Sequence, residues 1–278
     1  MKEAKDNIDS SSVEHFGKEW KNFKQDLRIE ELEVIANRYF SLFPWDILSK
    51  DSNGFDMGCG SGRWARFVST RVGKLTCIDP SEEALSVAKN NLADCLNCIF
   101  EKGSANSNEL EDNSMDFGYS LGVLHHVPDT LSALKNCSKK LRRGAPFLLY
   151  LYYKFDNRGL AFRILWYTSN FLRLIICNFP FRLKKVITDM IALLIYFPLA
   201  KLSYILDKTG VRVKSIPLSF YRNSSFYTMR TDSLDRFGTP LEKRFTKEEI
   251  RIMMKKAGFV KITFLEGEPY WVCLGYKG

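Results

Sequence analysis

The feature that most constrains this chain is the glycine-rich turn Asp-Met-Gly-Cys-Gly-Ser-Gly at residues 56–62, which follows a short apolar strand and precedes a helix. Glycine lets a backbone turn sharply and approach a ligand, because no Cβ stands in the way. A helix that begins directly after such a turn adds partial positive charge at its first N–H groups. The turn therefore predicts a ligand-binding loop in an α/β fold.

The spacing within the turn excludes two related loops. A dinucleotide-binding loop needs a third glycine at position 63, where this chain has Arg63. A phosphate-binding loop needs lysine and then serine or threonine after its last glycine, but Gly62 is followed by Arg63 and Trp64. Glycine at 62 instead matches a loop that holds the amino-acid end of S-adenosylmethionine.

Strand and helix patterns alternate around this turn. Apolar runs predict strands at 54–57, 74–78, 97–101, 116–121 and 147–153, and helical spacing predicts helices at 64–71, 81–92 and 129–141. Repeated units of this kind imply a parallel sheet with helices on both faces. Thr246 and Glu249 form a capping-box pattern that begins a helix, and 260–266 and 270–276 alternate like an antiparallel pair.

Four domains follow from this organisation. Residues 1–45, with helices at 14–25 and 29–42, form an N-terminal helical lid; residues 46–154 form the ligand-binding core; residues 155–243 form a helical and aromatic insertion; residues 244–278 complete the core. Ile191–Ala200 is an unbroken apolar run between Asp189 and Lys201. It is shorter than the ~20 residues that cross a bilayer, so we expect buried lid helices, with a membrane-surface helix as the alternative.

Two further segments complete the expected site. Asp79 ends the second strand, 21 residues after Gly58, where a carboxylate accepts hydrogen bonds from ribose hydroxyls. Alternatively, Asp79 only caps a turn, because Pro80 and Ser81 follow it. Gly103, Ser104 and Ala105 follow the third strand.

Together these motifs resemble the class I S-adenosylmethionine-dependent methyltransferases, in the small-molecule (type 11) group that includes ubiquinone-biosynthesis methyltransferases. The matching segments are DMGCGSG, CIDPS, SMDFGYSLGVLHHV and LRRGAPFLL, within residues 53–153, together with the C-terminal helix and strand pair. The resemblance implies a Rossmann-like, seven-stranded, mostly parallel sheet with an antiparallel last strand. It also implies S-adenosylmethionine as the cofactor.

The resemblance assigns the cofactor-binding residues as Asp56, Gly58, Cys59, Gly60, Gly62, Asp79, Pro80, Ser104, Ala105 and Leu121. Asp56 would orient the loop, Asp79 would bind ribose, and Ser104 and Ala105 would border adenine. The family often has an acidic residue where this chain has Ser104, so the hydrogen bond to the adenine amino group is weaker here.

The acceptor side is less defined. His126 and Tyr153 are candidate catalytic residues, although the pair His125–His126 would equally support the loop. The expected substrate contacts are Tyr152, Arg158, Tyr221 and Arg230. Phe16 and Trp20 either cover the cofactor or pack as ordinary helix residues.

Charge bears on the acceptor. The net charge is +9, and residues 155–240 hold thirteen basic and five acidic residues, an excess of eight positive charges. The resemblance implies direct in-line methyl transfer, and the charge excess predicts that the acceptor is small and anionic, unless the charges only form a solvated surface. The alternatives are a membrane-surface enzyme with a lipid-linked acceptor and a non-catalytic cofactor-binding protein. Nucleic acid is disfavoured, because no RNA-binding module is recognisable.

Seven irregularly spaced cysteines and a polar start without a secretory pattern predict reduced thiols and a cytoplasmic or membrane-associated protein. Cys95 and Cys98 form the only CxxC pair among few histidines, so no metal site is expected. The oligomeric state is open.

Overall fold

The computed structural model describes residues 6–23, 29–213 and 216–278. The chain divides into two compact units. We call the first, which runs to Asp156 and resumes over Leu241–Gly278, the binding core, and the second, Asn157–Pro240, the insert. The functional roles predicted for the four segments stay predictions.

One seven-stranded sheet organises the binding core. Its strands are β1 (Asn53–Met57), β2 (Lys74–Asp79), β3 (Cys98–Lys102), β4 (Phe117–Leu121), β5 (Pro146–Tyr150), β6 (Phe259–Phe264) and β7 (Cys273–Lys277). They lie in the order β3-β2-β1-β4-β5-β7-β6. Only β7 runs antiparallel, against both β5 and β6, so the predicted Rossmann-like architecture is confirmed. The order reverses between β1 and β4, which is where open α/β sheets bind ligands.

The helices follow the predicted alternation. They are α1 (Ser10–Asn22), α2 (Ile29–Tyr39), α3 (Arg63–Ser69), α4 (Glu82–Asn91), α5 (Thr130–Lys140), α6 (Leu160–Ile176), α7 (Phe181–Ile191), α8 (Phe197–Lys208), α9 (Phe226–Gly238) and α10 (Lys247–Lys256). The predicted end of the first helix at Gln25 lies outside the described residues.

Side-chain caps explain where several helices start. The hydroxyl of Ser81 and the carboxylate of Asp129 accept hydrogen bonds from the first turns of α4 and α5. Thr246 and Glu249 form the complete capping box of α10. Each cap satisfies N–H groups that have no partner within the helix, which stabilises it by about 1 kcal/mol.

Apolar side chains fill both faces of the sheet. Phe147 and Leu149 of β5 pack into one cluster, and Leu148 between them packs into the other. Successive strand residues point to opposite faces, so a strand that is apolar throughout must be covered on both sides.

The insert departs from its expected burial. Residues 181–208 form one helical stretch, in which a π-helical segment, Ala192–Tyr196, joins α7 to α8. This stretch of 28 residues is long and apolar enough to cross a membrane, and only 28% of its apolar window is buried. Little of this stretch is therefore buried within the described residues, and the predicted lid helices stay a prediction.

The binding core holds the two ends of the insert close together. The N–H of Phe245 donates to the carbonyl of Tyr152, and the N–H of Lys154 donates to the carbonyl of Phe245, both at 2.9 Å. The carboxylate of Asp156 accepts from the N–H of Lys247 at 3.0 Å and from Nε1 of Trp271 at 2.9 Å. The chain therefore leaves and re-enters the core at one point.

Candidate cofactor and acceptor site

The glycine turn lies at the end of β1, beside the reversal of strand order. Gly58, Gly60 and Gly62 have φ angles of +82°, +54° and +79°, which side chains other than glycine rarely tolerate. A Cβ on Gly58 would lie 2.3 Å from the side chain of Val123. The sequence needs glycine here because both the backbone angles and the packing exclude a larger residue.

Asp79 lies directly against this turn. One carboxylate oxygen accepts from the N–H of Gly60 at 3.0 Å, and the other accepts from the N–H of Ser81 at 2.9 Å. A carboxylate offers about four acceptor positions, so two remain for a pair of neighbouring ligand hydroxyls. Burial raises the pKa of Asp79 to about 6, although the two N–H groups act in the opposite direction.

Asp56 lies beneath the turn and is buried. Neither of its carboxylate oxygens has a hydrogen-bond partner among the described residues. Burial raises the pKa of Asp56 to about 8, with the Tyr119 hydroxyl opposing the shift and Asp79 adding to it. A hydrogen-bond donor or a cationic group of a ligand would lower the free-energy cost of burying this carboxylate.

The residues after β3 already have hydrogen-bond partners. The Ser104 hydroxyl donates to the carbonyl of Asp6 at 2.7 Å and accepts from the N–H groups of Asn106 and Ser107. Its predicted bond to adenine stays a prediction, and it would compete with these contacts. Ala105 and Leu121 are buried, and Pro80 is partly exposed beside Asp79.

Helix α1 covers the turn. A Cβ placed on Gly60 would lie 2.9 Å from Nε1 of Trp20, so the indole lies over this glycine. The ring of Phe16 packs on His126 with ring centres 4.8 Å apart. Before α1, the side chain of Asn7 both donates to and accepts from the backbone of Asp129 at 2.7 Å. Phe16 and Trp20 therefore pack against the core, and whether they cover a bound cofactor stays a prediction.

The two histidines follow β4 and differ in their surroundings. Nδ1 of His126 lies 2.6 Å from the carbonyl oxygen of Leu241. A carbonyl only accepts, so Nδ1 of the neutral ring carries the proton and Nε2 is left as the basic nitrogen. His125 is fully buried, and its burial holds its pKa well below the ordinary value. His125 is therefore a poor proton acceptor.

A buried ion pair borders these rings, and the sequence did not indicate it. The guanidinium of Arg244 bonds to Glu242 at 2.8 Å and lies 5.1 Å from the ring centre of Tyr152. Tyr152 in turn stacks on His125 at 3.9 Å. Burial opposes the charge of Arg244, yet Glu242 raises the pKa of Arg244 above its ordinary value.

Comparisons with known proteins agree with this geometry. The sequence profile of the family described as a methyltransferase domain matches residues 55–149. Residues 55–149 of this chain therefore match a methyltransferase domain. The predicted resemblance is confirmed over these residues, and S-adenosylmethionine is the cofactor that it implies.

The methyltransferase domain also has a curated relative. Demethylmenaquinone methyltransferase of Staphylococcus aureus is 37% identical over 99 residues, which cover 34% of this chain and 41% of the relative. The match therefore spans about two fifths of that protein's length.

Two solved structures share the fold. A chain from the Haloferax volcanii complex of the Trm112 methyltransferase activator with a methyltransferase aligns over 94% of this chain and 96% of its own length, with 12% identity and a TM-score of 0.51. A Bordetella parapertussis protein aligns over 88% and 67%, with 14% identity and the same TM-score.

Tyr153 makes ring contacts with residues outside the histidine pair. Its ring packs against Phe155 and Tyr270, at ring-centre distances of 4.4 and 5.4 Å. The geometry therefore places Tyr152, and not Tyr153, beside His125 and His126. The catalytic role predicted for Tyr153 stays a prediction.

The remaining predicted substrate residues lie in the insert. Arg230 forms a two-pronged ion pair with Asp189, at 2.9 and 2.8 Å. The ring of Tyr221 packs on Tyr196 at 5.3 Å, and the guanidinium of Arg158 lies 5.0 Å from the ring centre of Phe162. These contacts give each residue a structural function inside the insert, and their acceptor roles stay predictions.

Proposed function

We propose that this protein transfers a methyl group from S-adenosylmethionine to a small acceptor. The observation that carries the proposal is the glycine turn held against Asp79, whose carboxylate keeps two acceptor positions for the hydroxyls of a ribose. Asp56 supplies an unmatched carboxylate beneath the same turn. The donor set therefore fits a sulfonium nucleoside with an amino-acid tail.

When bound, S-adenosylmethionine supplies an electrophilic methyl group. The protein has to hold both reactants in line and exclude water, and such positioning lowers a barrier by ~7–11 kcal/mol in favourable cases. The turn and Asp79 hold the nucleoside, and Trp20 and Phe16 exclude water above it. Nε2 of His126 accepts a proton where the acceptor carries one at neutral pH.

An anionic acceptor is the finer part of the proposal. The excess of eight positive charges in residues 155–240 supports it. A lipid-linked acceptor is the second candidate, and the exposed apolar residues of the insert favour it.

Calorimetry combined with a methyl-transfer assay tests the proposal. We expect binding of both S-adenosylmethionine and its demethylated product, and transfer of labelled methyl to a small molecule in a cell extract. Asp94→Asn, at an exposed carboxylate that forms an ion pair with Arg66, is the control for Asp79→Asn. The activity is contradicted if neither nucleoside binds at millimolar concentration. Binding without methylation of any molecule would indicate the non-catalytic alternative.

Once an acceptor is known, Arg230 can be tested against its structural function. Arg230→Ala removes the cation and the ion pair, whereas Asp189→Asn removes the ion pair and keeps the cation. If Arg230 binds an anionic acceptor, only Arg230→Ala should raise the acceptor's KM about tenfold or more, without changing that of the cofactor. Equal changes in the two variants would assign Arg230 to the structure of the insert.

A further inference from the structure

In the helical stretch 181–208, the buried side chains are small or polar and most large apolar side chains are exposed. This is the reverse of the usual arrangement in a soluble protein. The buried side chains of the stretch are Lys184, Thr188, Ala192, Tyr196, Ala200 and Ser203. They recur every three or four residues, so they share one side of the helix. Soluble helices normally bury their large apolar residues on that side.

The large apolar residues of the same stretch are exposed. We define the apolar face as the eight side chains that are 45–64% exposed there: Leu183, Val186, Met190, Leu193, Leu194, Ile195, Leu202 and Ile205. Helix α6 repeats the pattern with exposed Leu160, Ile164, Leu165, Tyr167, Phe171, Leu172, Leu174 and Ile175. Single exposed apolar residues are ordinary, but a contiguous set marks a contact with an apolar partner.

Hydrogen bonds inside the insert pair several of the polar groups that this arrangement buries, although the Ser203 hydroxyl has no partner among the described residues. Nζ of Lys184 donates to the carbonyl of Gly238 at 3.0 Å, and the Arg173 guanidinium donates to the carbonyl of Thr239 at 2.9 Å. The hydroxyl of Ser233 donates to the carbonyl of Thr188 at 2.9 Å. Small interface residues with polar groups paired inside, and apolar residues outside, are the rule for helices in lipid.

We propose that the apolar face docks the protein onto an anionic lipid bilayer. The insert carries nine excess positive charges, from thirteen basic and four acidic residues, and cations near a membrane attract anionic headgroups by ~1 kcal/mol each. Lys201 lies over the rings of Phe197 and Tyr204, at 5.5 and 5.8 Å. Basic and aromatic side chains of this kind anchor helices at the membrane–water interface.

The charge distribution selects lipid over a second copy of the chain. Two inserts brought face to face would place like excess charges against each other, which costs free energy. An anionic bilayer offers both the apolar interior and the opposite charge.

The depth of insertion follows from the charges along the helix. Eleven residues, Met190–Ala200, separate Asp189 from Lys201, which corresponds to ~16 Å of helix at 1.5 Å per residue. The hydrocarbon core of a bilayer is ~30 Å thick. The stretch therefore lies in the interface with the apolar face directed into the acyl chains.

Vesicle cosedimentation of the full chain tests this docking, and it needs neither cofactor nor acceptor. We expect binding to vesicles of phosphatidylcholine with phosphatidylglycerol, and much weaker binding to phosphatidylcholine alone. The double variant Leu193→Gln with Leu194→Gln should lose about tenfold or more in partitioning, because two leucines no longer enter the acyl region. Glutamine is a good helix former, so the helix should persist.

Leu96→Gln is the matched control, because Leu96 is 94% exposed in a turn of the binding core; it should leave partitioning unchanged. Thermal melts and light scattering would verify that each variant is folded and report its oligomeric state. The proposal is overturned if the native chain binds neither vesicle, or if the double variant binds as well as the native chain. It is also overturned if the double variant converts a dimer to a monomer while vesicle binding stays absent.

This docking and methyl transfer can fail separately. Cofactor binding by calorimetry without vesicle binding would leave the proposed activity standing, and vesicle binding without cofactor binding would leave the docking standing.

Discussion

At the scale of single residues, two carboxylates belong to the proposed cofactor site, the buried Asp56 and the partly buried Asp79. Asp79 is stabilised by two backbone N–H groups, whereas Asp56 accepts no backbone hydrogen bond among the described residues and has only the Tyr119 hydroxyl to oppose the effect of burial. Their pKa values are raised to about 6 and about 8 because burial disfavours the charged form. Asp79 is therefore the carboxylate that is largely ionised at neutral pH and can accept from ribose.

The affinity for S-adenosylhomocysteine should fall as the pH drops through about 6, because protonation of Asp79 removes acceptor capacity. Asp79→Asn should weaken binding by roughly 10–100-fold at pH 7.5, because it removes a hydrogen bond to a charged group. The affinity of this variant should also depend less on pH. Calorimetry between pH 5 and 8 measures both effects. An unchanged pH profile in the variant would assign the titration to another group.

The raised pKa of Asp56 leads to a prediction about how the free energy of unfolding depends on pH. The folded pKa of about 8 lies above the ordinary value of 3.8, so the folded chain holds the proton more tightly than the unfolded chain. The stabilisation is fully present below pH ~4 and is lost as the pH rises to about 8. Asp56→Asn should therefore raise the free energy of unfolding at pH 8, on the order of 1–3 kcal/mol. Denaturant unfolding at pH 5 and 8 measures this; a loss of stability at pH 8 would contradict it.

At the scale of elements, local chemistry predicted most of the core. The glycine turn, the caps at Ser81, Asp129 and Thr246, and the apolar strands are each decided by residues within a few positions. β5 is the main difference, because its predicted end at Tyr153 lies beyond the observed end at Tyr150. There the chain leaves the sheet to pair with Phe245, a partner more than ninety positions away, which no local pattern reveals.

The position of Arg244 could not be predicted either, because it also depends on contacts between segments that are distant in sequence. The segment Leu241–Phe245 reads as a charged linker, yet the N–H of Lys243 donates to the carbonyl of His125 at 3.0 Å. Its position beside Tyr152 depends on the return of the chain after the insert. Conversely, α1 could be predicted as a helix, but its position over Gly60 could not.

Trp20→Ala should test the cover formed by α1. Removing the indole exposes the turn at Gly60, so we expect the dissociation rate of S-adenosylhomocysteine to rise about tenfold, the value of roughly 1.4 kcal/mol of lost contact. Stopped-flow displacement measures the rate, with Lys21→Ala, at an exposed position of the same helix, as the control. Tighter binding in Trp20→Ala would mean that the indole competes with the nucleoside rather than covering it.

At the scale of the whole molecule, the sequence predicted that the insert is a separate unit, but it did not predict which side chains of the insert are exposed. Hydropathy shows that residues 181–208 are apolar, but it does not show which side of the helix faces its neighbours. Only the packing reveals that Thr188, Ala200 and Ser203 face inward. The sequence therefore did not predict which side chains of this stretch are exposed.

Replacing residues 157–240 by a short glycine–serine linker should separate the two properties. The hydrogen bonds of Phe245 and Asp156 that close the core are retained, so we expect nucleoside affinity within about twofold of the native value and complete loss of vesicle binding. Calorimetry and cosedimentation measure the two properties. Retained vesicle binding would place the lipid contact in the core.

The hydrogen bonds between Tyr152, Lys154 and Phe245 join the segment before the insert to the segment after it. These bonds lie outside the insert, so the backbone on each side of the insert keeps the same partners when the sequence of the insert changes. A change in the sequence of residues 157–240 should therefore leave the glycine turn and Asp79 in place.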